Sequence, residues 1–294
     1  MDAKVEFEPL ERRLALPGRG GEMAVLDFGP RDRPIDVVFS HANGFNARTY
    51  RTILAEPARK LRILAIDQRG HGSTELPTET EGRTGWQDLG QDLEALLGAL
   101  DLIGVILAGH SLGGASSLLA AAAQPQRVKA LALFEPVILS RENSGKPGLM
   151  PEDGALVRST ARRRSVFESP EAAVEAFVGR GAFKTWSRAQ VEDYVAGGLV
   201  PKEDGSWMLA CAPAWEVSNF RAQSHDPWPA LDHGPRPIRI LLAEHDSTSW
   251  LGAERGRLAA DPGVRIATIP GSTHFLPMER PDLVAATLLE LAEA

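Results

Sequence analysis

Short, continuously apolar runs alternate with longer amphipathic runs along much of the chain, and this pattern predicts strands and helices in turn. Buried strands are predicted at 35–39, 61–66, 105–108, 128–134, 238–243 and 264–269. Helices are predicted at 47–55, 84–100, 112–123, 251–260 and 281–292. Strands that are apolar on both faces, each followed by a helix, are typical of a parallel sheet covered by helices on both sides.

Two segments depart from this alternation. Near the N-terminus, the runs 11–16 and 22–28 flank a Pro-Gly-Arg-Gly-Gly turn, which predicts a β-hairpin of edge strands. Residues 140–235 contain helical patterns near 152–164, 170–180 and 187–196 but no clear buried strand. Because a segment of this length is not a bare loop, we interpret 140–235 as an inserted helical cap. Residues 1–139 and 236–294 then form the core domain.

One predicted strand ends in a sequence that presents a serine. Gly109-His110-Ser111-Leu112-Gly113 matches G-x-S-x-G, in which the serine occupies a sharp turn between a strand and a helix. The small residues around the serine relieve the crowding at such a turn. Ser111 is therefore a candidate nucleophile, exposed above the sheet.

A serine hydroxyl needs a general base and a group that orients the base. Two later loops supply candidates, because Asp246 follows the strand at 238–243 and His274 follows the strand at 264–269. In a parallel sheet both loops emerge at the same carboxyl edge as Ser111. Glu135 follows the strand at 128–134 and reaches that edge too. Asp246 is the first candidate for the orienting acid, and Glu135 is the alternative.

Five motifs occur in a characteristic order: His41-Ala42-Asn43-Gly44, Asp67-Gln68-Arg69-Gly70-His71-Gly72-Ser73, Gly109-His110-Ser111-Leu112-Gly113-Gly114, Glu244-His245-Asp246 and Gly271-Ser272-Thr273-His274. With these motifs the chain resembles an α/β-hydrolase-fold protein over nearly its full length. The resemblance implies a mostly parallel sheet of roughly eight strands, with helices on both faces and an inserted helical cap. The chain departs from the usual family pattern at Ala42, where relatives usually have glycine.

The same resemblance implies roles for individual residues. His274 takes the proton from Ser111, while a carboxylate holds the imidazole in the correct tautomer. The backbone N–H groups of Asn43 and Leu112 form the oxyanion hole. In the cap, Trp186 and Trp215 are candidate substrate-pocket residues. The arginines at 158 and 162–164 either recognise an anionic substrate group or form a solvated helix face.

These assignments predict a cofactor-free serine hydrolase that cleaves an ester, thioester or lactone of a small, mostly apolar substrate through an acyl-enzyme. The alternatives are C–C bond hydrolysis, perhydrolysis or a lyase step on the same triad, or a ligand receptor built on a hydrolase fold. Because Ser111 stands where haloalkane dehalogenases use aspartate, the sequence argues against dehalogenation.

The amino-acid composition limits the molecules that the protein is expected to bind. A net charge of −7 argues against nucleic acid and anionic membranes as partners. No apolar run approaches the roughly eighteen residues needed to cross a bilayer, and the first residues lack the apolar segment of a secretory signal, so we expect a cytoplasmic protein. Cys211 is the only cysteine, which excludes an internal disulfide and a thiolate zinc cluster, and no metal is expected. The oligomeric state is expected to be a monomer or a homodimer.

Overall fold

The computed structural model of the protein describes residues 8–149, 151 and 154–294. Its strands are β1 (Leu10–Leu16), β2 (Gly21–Phe28), β3 (Val37–Ser40), β4 (Ile63–Ile66), β5 (Val105–His110), β6 (Val128–Phe134), β7 (Val166–Phe167), β8 (Leu199–Pro201), β9 (Trp207–Leu209), β10 (Ile238–Ala243) and β11 (Val264–Ile269). Eight of these strands form one sheet in the order β1-β2-β4-β3-β5-β6-β10-β11.

The sheet is mostly parallel. The pairs β1–β2 and β2–β4 are antiparallel, so the predicted N-terminal hairpin forms an edge of the sheet. All pairs from β4 onward are parallel. The carboxyl ends of these parallel strands therefore meet at one edge, as the sequence pattern predicts, and the predicted fold class is confirmed.

Helices cover both faces of the sheet, and further helices form the segment between β6 and β10. They are α1 (Arg51–Leu54), α2 (Gln87–Ala99), α3 (Leu112–Ala123), α4 (Ala155–Ala161), α5 (Pro170–Phe177), α6 (Arg188–Gly198), α7 (Pro213–Arg221), α8 (Trp228–His233), α9 (Glu254–Ala259), α10 (Leu276–Glu279) and α11 (Pro281–Glu293). The helix predicted at 47–55 begins as a 3₁₀ turn, Ala47–Tyr50, and continues as α1.

The apolar interior lies on both faces of the sheet because side chains alternate along each strand. In β3, Val37 and Phe39 belong to one buried cluster, whereas Val38 belongs to the other. All three side chains are fully buried. This two-sided burial explains why the strands are apolar throughout.

The segment 140–235 lies between β6 and β10 in the chain and contains α4 to α8. The helix predicted from 152 begins at Ala155 in the structure, and residues 152 and 153 lie outside the described residues. A small antiparallel sheet, β7-β9-β8, was not predicted, since strands of two or three residues carry no periodic signal. The last helix of the segment, α8, packs on α3. Its residues Trp228 and Leu231 belong to the same apolar cluster as Val38.

Among the described residues, no helix combines the length and the apolar character that a membrane crossing requires.

Candidate active site

Ser111 occupies a sharp turn between β5 and α3. Its backbone has φ 54° and ψ −117°, a left-handed conformation that residues with side chains rarely adopt. Two hydrogen bonds hold the turn to β6 and the residues after it: the Ser111 N–H donates to the carbonyl of Phe134 (3.1 Å), and the Ser111 carbonyl accepts from the N–H of Val137 (3.2 Å). Ser111 is only 6% exposed, so the hydroxyl lies in a sheltered position.

Two glycines allow this turn to pack against the neighbouring strand. A Cβ atom on Gly109 would lie 2.3 Å from the carbonyl carbon of Gly113. A Cβ atom on Gly113 would lie 2.1 Å from the carbonyl oxygen of Ser40, the last residue of β3. The absence of side chains therefore lets the backbone after β3 approach the serine turn closely.

His274 bridges Ser111 and a carboxylate. Its Nε2 lies 3.0 Å from the Ser111 hydroxyl oxygen, and its Nδ1 lies 3.2 Å from Oε2 of Glu135. Because an ionised carboxylate only accepts, Nδ1 carries the hydrogen and Nε2 is free to accept from the serine hydroxyl. This arrangement is the relay that general-base activation of a serine requires.

Glu135 is fully buried at the end of β6 and is held by several donors. Oε1 accepts from the Ala243 N–H (2.7 Å) and the Ser247 hydroxyl (2.6 Å), and Oε2 also accepts from the Thr248 N–H (3.0 Å). Burial on its own raises the pKa of Glu135, but the hydrogen bonds from His274 and these donors outweigh it and lower the pKa below its ordinary value. The carboxylate is therefore ionised at neutral pH and fixed in place.

This geometry contradicts the prediction that Asp246 is the acid that orients His274. Asp246 is exposed, and Glu135 is the carboxylate that contacts His274. The physical reason is the turn after β10: with φ 56° at Asp246, the chain directs Ser247 and Thr248 inward, where they donate to Glu135. The sequence reasoning missed these two donors, although the hydroxyl-rich Ser247-Thr248-Ser249 is a signal for such a role.

The loop after β3 leaves one backbone donor unused. Of the four N–H groups of residues 42–45, three have acceptors within the protein: Ala42 donates to the Tyr50 hydroxyl (3.2 Å), Gly44 to Nε2 of His71 (3.0 Å) and Phe45 to the carbonyl of Ala42 (3.1 Å). Among the described residues, the N–H of Asn43 has no acceptor. Leu112 is the first residue of α3, where an N–H has no partner within the helix. These are the two N–H groups that the resemblance assigns to the oxyanion hole.

A buried chain of hydrogen bonds joins this loop to the base. The Tyr50 hydroxyl lies 2.7 Å from Nδ1 of His110, and Nε2 of His110 lies 2.7 Å from the carbonyl oxygen of His274. Since a carbonyl only accepts, Nε2 of His110 donates and Nδ1 accepts from Tyr50. Burial, together with the nearby His274, lowers the pKa of His110 well below its ordinary value, so the ring stays neutral. The chain fixes the backbone of His274.

The two tryptophans predicted to line a substrate pocket have different surroundings. The Trp186 ring lies 5.0 Å from that of Phe45 and 6.0 Å from that of Phe275, measured between centroids. Trp215 instead donates from its indole N–H to the carbonyl of Arg69 (2.8 Å). Trp215 thus anchors α7 to the loop after β4, and its place in a substrate pocket stays a prediction.

The predicted arginine run has one member that turns inward. Arg158, Arg162 and Arg164 are exposed. Arg163 pairs with the carboxylate of Glu216 (2.6 Å) and donates to the Tyr194 hydroxyl (2.8 Å). Its charge is therefore balanced within the inserted segment.

Other reactive groups do not form a second centre in the part of the chain that the structure describes. No group of three or more potential metal ligands occurs among those residues. Cys211 is buried, and burial raises the pKa of its thiol well above the ordinary value, so the thiol stays protonated.

Comparison with known proteins identifies the family. The model of the alpha/beta hydrolase family matches residues 37–287, and the chain belongs to this family. The shared fold and the Ser111–His274 contact agree with hydrolase chemistry at this edge of the sheet.

Two curated relatives and one solved structure are similar over most of their lengths. The chain is 24% identical over 265 residues to 2-(acetamidomethylene)succinate hydrolase of Mesorhizobium japonicum, covering 88% of each chain. It is 24% identical over 286 residues to a haloalkane dehalogenase of Sphingobium indicum, covering 96% of this chain and 95% of the relative. The crystal structure of E-2-(acetamidomethylene)succinate hydrolase matches with a TM-score of 0.77 and 21% identity, over 97% of this chain and 100% of that chain.

Proposed function

We propose that this protein is a serine hydrolase that cleaves a carboxylic ester, thioester or lactone through an acyl-enzyme on Ser111. The observation that carries the proposal is the relay in which His274 contacts both the Ser111 hydroxyl and the buried Glu135 carboxylate. His274 acts as the general base and Glu135 orients it.

A side chain or backbone group of the site serves each step of the proposed acyl transfer. The Ser111 oxygen attacks the acyl carbon, its proton passes to Nε2 of His274, and the carbonyl electron pair moves onto oxygen. The N–H groups of Asn43 and Leu112 stabilise that oxyanion. The oxyanion then re-forms the carbonyl and the bond to the leaving group breaks, while His274 gives that group the proton. Water next loses a proton to His274 and attacks the acyl carbon, and the bond to Ser111 breaks as His274 returns the proton to the Ser111 oxygen.

The surroundings of the relay favour a mostly apolar acyl or alcohol group. Phe275 follows the base directly, and Phe45 lies in the loop that carries Asn43. Their ring centroids are 6.3 Å apart, and Trp186 packs against both rings. Aromatic side chains next to the reacting groups provide apolar contact area for a substrate.

The chemistry of Ser111 supports acyl transfer over halide displacement, although a haloalkane dehalogenase is among the relatives. A hydroxyl that a histidine deprotonates is suited to acyl transfer. From the Mesorhizobium relative we carry over only the reaction class in its name, hydrolysis.

The test compares Ser111→Ala with a control serine variant, Ser159→Ala, on a panel of p-nitrophenyl esters, thioesters, lactones and C–C hydrolase substrates. Ser159 is an exposed residue of α4. We expect Ser111→Ala to lose at least about 10⁴-fold in kcat on every substrate that the wild type cleaves, with an unchanged melting temperature. Ser159→Ala should retain wild-type turnover.

A fluorophosphonate provides the second measurement. Intact mass should show one adduct on the wild type and on Ser159→Ala, and none on Ser111→Ala. Undiminished hydrolysis by Ser111→Ala contradicts the proposed function, and a wild type that neither turns over the panel nor labels favours a ligand receptor instead.

A further inference from the structure

Helix α7 of the inserted segment holds the side chain of Asn43 at both ends. The Asn43 amide nitrogen donates to the carbonyl of Glu216 (3.0 Å), and its amide oxygen accepts from the side-chain nitrogen of Asn219 (2.7 Å). Both partners belong to α7. The loop that carries the Asn43 N–H is therefore held by hydrogen bonds from α7 as well as by those to Tyr50 and His71.

Asn219 is itself held rigidly. It is fully buried, and its side-chain oxygen accepts from Nη1 of Arg83 while its carbonyl accepts from the Trp86 indole N–H (2.9 Å). Arg83 in turn forms two hydrogen bonds with the carboxylate of Asp88, at 2.9 and 3.0 Å. Asp88 lies in the first turn of α2, which packs on α3 behind Ser111.

We propose that Asn219 is a positioning residue for the oxyanion hole and that α7 thereby sets how tightly the site binds the transition state. The inference rests on the proposed function, in which the Asn43 N–H donates to the oxyanion. The direction of that N–H follows from the backbone angles of the loop, and the bonds from α7 to the Asn43 side chain restrict those angles. A donor displaced by about 1 Å loses much of its value, on the order of 10²-fold in rate.

The first test is Asn219→Asp, which keeps the size of the side chain and still accepts from Arg83. An ionised carboxylate has no hydrogen to donate to the Asn43 amide oxygen, so this one link is lost. We expect kcat to fall by roughly 10- to 100-fold while KM stays within about threefold, because an oxyanion donor acts in the transition state.

Gln190→Glu is the matched control. Gln190 is a buried amide on another helix of the inserted segment, α6, and donates to the carbonyl of Met278 (3.0 Å). The substitution also replaces an amide with a carboxylate and removes a bond from the inserted segment to the core, but this bond does not reach the loop of Asn43. We expect its kcat within about threefold of the wild type.

An inhibitor pair separates positioning from general loss of structure. A trifluoromethyl ketone bonds to the Ser111 oxygen, the proton passes to His274, and the ketone oxygen becomes an oxyanion. The matching methyl ketone binds without this step. In Asn219→Asp, affinity for the trifluoromethyl ketone should fall in parallel with kcat, whereas affinity for the methyl ketone should be unchanged.

A double-mutant cycle covers the case in which Asn219→Asp does not fold. If Asn219 acts through Asn43, then Asn43→Ala combined with Asn219→Ala should lower kcat no more than the larger single effect. Additive losses, an unchanged trifluoromethyl ketone affinity, or a kcat equal to that of Gln190→Glu would overturn the positioning role. Normal turnover in Ser111→Ala contradicts the proposed function itself, whereas loss there with normal turnover in Asn219→Asp contradicts only the role of Asn219.

Discussion

Three non-glycine residues among the described loops at the carboxyl edge of the sheet adopt positive φ values: Ser111 at 54°, Glu135 at 47° and Asp246 at 56°. Such angles are unfavourable for residues with side chains and persist where surrounding bonds enforce them. Here each one follows a strand and reverses the chain abruptly. At Ser111 and Glu135 the reversal presents the side chain that contacts His274, and at Asp246 it presents the donors that hold Glu135.

His225 shows how a buried histidine makes stability depend on pH. Its ring stacks on that of Trp86 at 4.3 Å between centroids, Nε2 donates to the carbonyl of Val137 (2.9 Å), and Nδ1 is buried without a partner among the described residues. Burial lowers the pKa of His225 to about 4. The unfolded chain therefore binds a proton below the ordinary pKa of about 6.5, whereas the folded protein binds it only near pH 4.

We predict that this difference destabilises the wild type as the pH falls from 6.5 towards 4. His225→Phe keeps an aromatic ring beside Trp86 and removes the titrating group. The free energy of unfolding of the wild type, relative to that of His225→Phe, should fall by up to about 3 kcal/mol between pH 7 and pH 4. Urea unfolding at a series of pH values measures both proteins, and parallel stability curves would contradict the prediction.

At the scale of elements, the β5–turn–α3 unit is the best specified part of the chain. Its strand is apolar, its helix is rich in alanine and leucine, and its glycines match the close contact with β3. Because local preference and packing agree here, the sequence alone predicts the turn between a strand and a helix that Ser111 occupies. The short strands of the inserted segment are the opposite case, since their pairing depends on contacts between β7, β8 and β9 that no local pattern encodes.

A pair of glycine substitutions tests whether the close contact between the serine turn and β3 requires glycine. Gly113→Ala places a methyl group 2.1 Å from the carbonyl oxygen of Ser40, so we expect a loss of about 3 kcal/mol or more in the free energy of unfolding. Gly98→Ala, in α2, meets nothing within 4 Å and should stabilise the protein by about 0.5–1 kcal/mol. Chemical denaturation compares the two, and a Gly113→Ala protein as stable as the wild type would show that the close approach is not required.

At the scale of the whole molecule, the parallel sheet collects residues that are far apart in the chain. Ser111, Glu135 and His274 follow β5, β6 and β11, and the sheet alone brings these strand ends to one edge. That convergence is predictable from apolar runs followed by polar loops, which explains why the sequence predicts that Ser111 and His274 lie at the same edge.

The choice between Glu135 and Asp246 was not predictable in the same way. Both residues follow strands at the correct edge, and the sequence pattern does not specify which way the turn after each strand directs its side chain. The decision depends on tertiary contacts, since donors from the β10 loop and the N–H of Ala243 converge on Glu135. The contacts from α7 to Asn43 escaped prediction for the same reason, because more than 170 residues separate the partners along the chain.

In the proposed mechanism, Glu135 orients His274 for the attack by Ser111. In Glu135→Gln the amide removes the negative charge and allows the imidazole to adopt the wrong tautomer, with hydrogen on Nε2. In Asp246→Asn the relay is untouched. The two variants provide a matched comparison, since each replaces a carboxylate with the corresponding amide after a strand at the same edge.

The most direct measurement is kcat for these two variants on the best substrate of the panel, at a temperature where circular dichroism shows both proteins folded. We predict a loss of about 10³- to 10⁴-fold for Glu135→Gln and a change of less than about threefold for Asp246→Asn. The reverse order, with Asp246→Asn inactive and Glu135→Gln active, would contradict the account.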